Sequence, residues 1–83
     1  MKIVEKFIVI PFRKGPRGSI ILGEMRQASN EGSAERIAES MARYNLGASA
    51  IAVLVDEENG YMTSPRLIKE FGQVMNVIED MAA

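Results

Sequence analysis

The chain has 83 residues, 47% of them hydrophobic, with a net charge of −1 and neither cysteine nor histidine. Those absences exclude, within one chain, disulfides, thiolate and tetrahedral zinc sites, Cys–His dyads and a Ser–His–Asp triad. Carboxylate metal sites, lysine chemistry and backbone anion sites stay open. No enzyme and no cofactor is expected from this inventory.

The length fits one domain that buries only about 60–65% of its unfolded surface, so stability rests on packing or on a second subunit. Charge is uneven. Residues 1–30 carry six cations against Glu5 and Glu24, and residues 31–83 carry four against nine acids. Opposite charges meeting in the fold or across a dimer is the simpler reading, and a basic tip used for binding the sharper one. The apolar run before Pro11 is short, interrupted at its start by Glu5 and Lys6, and lacks a small-residue cleavage site, so it does not read as a signal peptide. No window approaches the roughly 18 apolar residues of a membrane span. A soluble, cytoplasmic protein is expected.

In chain order, Phe7-Ile-Val-Ile10 is β-branched and aromatic and apolar on both faces, so residues 2–11 read as a central strand. Pro11, without an N–H, should end the ladder or lie at an edge. Arg13-Lys-Gly-Pro-Arg-Gly18 is a loop by composition. A second strand follows over 19–27, with Gly23 marking a bulge or a close backbone approach. Ala34, Ile37, Ala38 and Met41 form one apolar helical stripe within 31–45. Asn30 suits the N-cap and Gly47 the C′ position.

Residues 48–56 form a third strand, apolar on both faces, whose alanines leave room for the helix. Asn59-Gly60 suggests a type I′ hairpin turn. Tyr61–Thr63 returns as a strand. Ser64, Pro65 and Gly72 suit the N-cap, N1 and C′ of a short helix, although the same residues can continue the strand. Val74, Val77, Ile78 and Met81 repeat as a short C-terminal helix over 74–81.

Lys6-Phe-Ile-Val-Ile-Pro-Phe-Arg-Lys-Gly15, Gly23-Glu24 with Arg26 and Ala28, the Ala34–Ala42 helix and Phe71-Gly-Gln-Val74 together resemble a family of small uncharacterised bacterial single-domain proteins. That resemblance implies a strand before Phe71-Gly72 and moves Arg66–Phe71 from helix to strand. It implies no function and carries over no site residue. The expectation is an α+β fold in the order ββαββα, a single mostly antiparallel four-stranded sheet with strands near 2–11, 19–27, 48–56 and 61–71. One main helix packs on a face, and the short helix packs at an edge or in a dimer contact.

Arg13, Lys14 and Arg17, with Gly15, Gly18 and Ser19, form the most suggestive cluster: three cations on a Gly-rich tip able to contact phosphates, with backbone N–H groups helping. The spacing is not a Walker loop. The same residues suit a solvated loop that keeps an edge soluble. The only adjacent aromatic is Phe12, which also fits the core. Asp56, Glu57 and Glu58 read as a polar turn rather than a cation loop. Glu24 and Arg26 share a strand face and read as a solvent-facing or dimer-facing pair, and Glu24 with Asp56 would be the carboxylates of an enzyme. Met25, Met41, Met62, Met75 and Met81 suit core filling or an adaptable surface. The apolar surplus of two double-faced strands makes a self-associating interaction module the favoured function, as a homodimer through an apolar sheet face or edge. A nucleic-acid or anion-binding domain using the Arg13–Gly18 tip is the alternative.

Overall fold

The computed structural model describes residues 2–75. They form an α+β domain with five strands in one antiparallel sheet and one α-helix. In chain order these are β1 (Ile3–Lys14), β2 (Ile20–Leu22), β3 (Arg26–Ala28), α1 (Glu31–Ala42), β4 (Gly47–Asp56) and β5 (Met62–Gly72). Strand β1 is central. It pairs with β4 on one side and with both β2 and β3 on the other, and β5 closes the far edge beside β4.

The single strand expected over 19–27 is therefore two. Strand β2 pairs with Phe12–Lys14 and β3 with Phe7–Val9. Between them the Pro11 carbonyl accepts the Gly23 N–H at 2.8 Å, so the Pro11 nitrogen also points to that side. It has no hydrogen to give, and the ladder breaks there. Pro11 does not end β1, because on the other side it pairs with Ala48 in an unbroken register.

Alternation splits the side chains into two layers. Val9, Ala28, Ala34, Ala38, Ala48 and Ala50 are buried between the sheet and α1, with Phe7, Ile37, Met41, Ile68 and Phe71 around them. The alanines let the helix sit close, as the sequence anticipates. On the opposite face Ile10, Phe12, Ile51 and Val53 are buried, with Ile8, Ile20, Val55 and Val74 packed against them. The N-cap is as expected: the Asn30 side chain accepts the Ser33 N–H at 2.8 Å. Arg66 of β5 ties the layers by donating to Glu31 of α1 at 2.9 Å and approaching Glu5 of β1 at 3.7 Å. Its hydrogen bond to Glu31, then that charge, raise the Arg66 pKa above its ordinary value. Exposed pairs of this kind are screened by solvent and add little stability.

Several local expectations are corrected. The helix ends at Ala42, not near residue 45, and Gly47 opens β4 instead of capping it. Residues 66–71 are strand, as expected, and the break lies at Ser64, which has φ 51°. The β4–β5 turn is not type I′, since Gly60 has φ 76° but Asn59 is not in the left-handed region. Asp56 organises it instead, its carboxylate accepting from the Glu58 N–H and Asn59 Nδ2, both at 3.0 Å. That turn occupies the acidic run. The helix expected over 74–81 falls almost wholly outside the described residues.

Ser49 is the exception in the core: its side chain is buried and its Oγ has no hydrogen-bond partner among the described residues. Ser49→Ala is expected to leave stability unchanged or raise it by about 0.5–1 kcal/mol, because an unpaired buried hydroxyl is removed with almost no change in volume. Urea unfolding checks this, and a loss beyond about 1 kcal/mol would mean the hydroxyl has a partner.

Candidate functional site

The ladder break and the end of α1 together leave a hollow on the helix side of the sheet. Gly23 lies against Pro11 and Arg13 there, so closely that a Cβ would sit 3.0 Å from Pro11 Cγ and 3.1 Å from Arg13 Cδ. After α1 the chain is fixed at two points. Asn45 Nδ2 donates to the Met41 carbonyl at 2.8 Å, and the Leu46 N–H donates to the Phe12 carbonyl at 2.9 Å. Tyr44 lies between a helix end and these two anchors with its side chain in solvent, 85% exposed.

The resulting concavity has a volume of about 450 Å³ and is lined by Pro11, Arg13, Glu24, Arg26, Met41, Tyr44 and Asn45. A smaller adjoining hollow of about 260 Å³ shares Arg13, Tyr44 and Asn45 and adds Lys14 and Leu46. Arg26 reaches this place because it stands opposite Val9, on the helix side of the sheet. Among the described residues, none of Arg13, Lys14, Arg17 and Arg26 is ion-paired, nor are Lys6, Arg36 and Arg43, whereas Lys2 pairs with Glu57 at 3.8 Å, Arg66 pairs with two acids and Lys69 lies over the Phe71 ring. Unpaired like charges around a hollow repel one another and make it attractive to an anion. The negative end of the α1 dipole and the Glu24 carboxylate in the same hollow offset part of that repulsion and, equally, part of the attraction for an anion.

Of the three cations singled out from sequence, Arg13 and Lys14 line these hollows and Arg17 does not. Arg17 sits at the apex of the β1–β2 hairpin with φ 58°. The backbone assistance expected there is used within the turn: the Gly15 N–H donates to the Ser19 carbonyl at 2.7 Å and the Ser19 N–H to the Pro16 carbonyl at 3.1 Å. Phe12 is fully buried and is no part of the site. Tyr44 and Asn45 are not evident from sequence, and Arg26, expected to pair with Glu24, makes no ion pair with it here. A tyrosine just beyond the end of an amphipathic stripe is the one signal that pointed to Tyr44.

Glu24 and Asp56 cannot act together. Asp56 stands opposite Ile3, and Glu24 lies beside Pro11, eight residues further along β1. That is a separation of about 26 Å. Among the described residues no group of three or more acidic side chains is placed to hold a metal ion, and no helix is long and apolar enough to cross a membrane. No protein-family model, no curated protein and no solved structure matches this chain.

Proposed function

We propose that this protein is a non-catalytic binding module that takes a phosphate-bearing polyanion into the hollow between β1, β3 and the end of α1. One observation carries the reading: Arg13 and Arg26 line, with Glu24, a concavity that also holds an exposed tyrosine, Lys14 lines the hollow that adjoins it, and none of the three cations is ion-paired among the described residues. Binding of a labelled oligonucleotide and of inorganic polyphosphate, measured by anisotropy across a salt series, tests it. Affinity is expected to fall linearly on a log–log plot, with a slope near −0.7 per phosphate neutralised. The Arg13→Ala, Lys14→Ala, Arg26→Ala triple variant should bind at least about tenfold more weakly and with a shallower slope. Salt-independent binding, or a triple variant that binds as the wild type does, would overturn the reading.

A second reading, self-association, is favoured by a different surface. Leu22, Met62 and Leu67 stand opposite Phe12, Val55 and Ile51 and so rim the sheet face away from α1, all three exposed. Pairing through sheet edges is opposed by the short β2 and β3 and by the register shifts and charges of β5. A homodimer would therefore form through the exposed rim of that face, whose centre is already buried within the chain. Light scattering over a dilution series distinguishes a dimer mass from a monomer mass.

A further inference from the structure

Resting on the anion-binding reading, we infer that the polyanion is a single-stranded nucleic acid, with one base stacked on Tyr44 and the flanking phosphates on Arg13, Lys14 and Arg26. Four observations point to it. The first is reach. Arg26 is level with Val9 and Lys14 lies five residues further along β1, with Arg17 beyond it at the hairpin apex. The cations are thus strung over about 17 Å, which one small anion cannot contact at once and a strand can.

The second is Tyr44 itself. A ring 85% exposed does no packing in the core, and it stands where an anion's neighbours would lie. Every base offers a π-face to such a ring, whereas a bare polyphosphate offers none. The third is the pair of acceptors in the same hollow. Asn45 donates through Nδ2 to Met41, which leaves its Oδ1 as an acceptor, and Glu24 adds a carboxylate. A carboxylate opposes a ligand that is phosphate throughout, but it matches the exocyclic amino group of a base. The fourth is shape. The hollow is open to solvent, so it cannot enclose a free nucleotide as small-ligand pockets do. It can let a strand pass across. A duplex would keep its base faces stacked within itself and away from Tyr44.

The experiment compares four probes on the full chain: a cytosine-rich 12-mer as DNA and as RNA, the DNA 12-mer annealed to its complement, and polyphosphate of similar charge. It uses wild type, Tyr44→Leu and Tyr44→Phe, each shown by thermal unfolding to retain its fold. For the single strands, Tyr44→Leu is expected to weaken binding about tenfold and Tyr44→Phe by less than about threefold. Polyphosphate binding should not change in either variant. Tighter binding of either the DNA or the RNA 12-mer supports the inference and identifies the preferred sugar. Equal affinity for the duplex, or a Tyr44→Leu variant that binds single strands as wild type does, overturns the inference while leaving a general anion site intact. If wild type binds none of the four probes at low salt, the anion-binding reading fails as well.

Discussion

Gly47→Ala and Gly72→Ala are each expected to lower the unfolding free energy by roughly 2–4 kcal/mol, and so the thermal midpoint by about 10–25 °C. The two glycines are register partners where β4 begins and β5 ends. A Cβ on Gly47 would run into the carbonyls of Phe71 and Gln73 and would lie 2.7 Å from the Gln73 nitrogen. Gly72 has φ 72°, and a Cβ there would meet the Leu46 carbonyl. Both obstructions are backbone, so no side-chain rotation relieves them. Gly72 adds the strain of a left-handed residue with a side chain. Because the pair shares one contact, the double variant should lose less than the sum of the single losses. Circular dichroism melts of the three variants check this. Melts like the wild type's would mean that the paired backbones do not approach so closely there.

Phe12→Ala should cost about 3–5 kcal/mol, comparable with the whole stability expected of a domain this size. Phe12 is fully buried, the largest side chain among those below 2% exposure, on the sheet face away from α1. Its ring packs with Ile10, Ile51 and Val53, and its carbonyl receives the Leu46 N–H that anchors the segment after Tyr44. Removing the ring therefore opens the second core layer directly beneath the strand that carries the site. Guanidinium unfolding of Phe12→Ala, with Arg17→Ala as a surface control expected within about 0.5 kcal/mol of wild type, measures the effect. A Phe12→Ala loss below about 1 kcal/mol would mean that the face opposite α1 is not a packed core.

How far the sequence could be read follows from which signals are local. The α1 stripe, the Asn30 cap and the double-faced character of β1 and β4 were all legible, because periodicity and capping depend on neighbours in the chain. Gly47 looks in sequence like a helix end, because a glycine required by the close approach of two paired strands has the same local signature as one required by a turn. Ser64-Pro65 imitated a helix start for a similar reason. Ser64 does take an unusual φ, but as an interruption between Thr63 and Arg66 in β5. Pro11 was correctly marked as a disruption of pairing, yet which side it would disrupt depends on the register of β1 with β2 and β3.

The candidate site was half legible. Arg13 and Lys14 stood out as a cluster of charge, but Arg17 belonged to that cluster only in sequence. Arg26 joined them by being opposite Val9, and Tyr44 by following the end of α1. Both placements arise from tertiary pairing across β1, which no short window contains.

The most direct test of the proposed binding role is a nitrogen-15 amide NMR titration of the intact chain with a single-stranded 12-mer. The largest shift changes are expected on Arg13, Lys14, Arg26, Tyr44 and Asn45, with little change in β5 or the Asp56–Gly60 turn. Shift changes centred on Leu22, Met62 and Leu67, or none at a saturating concentration of strand, would contradict it.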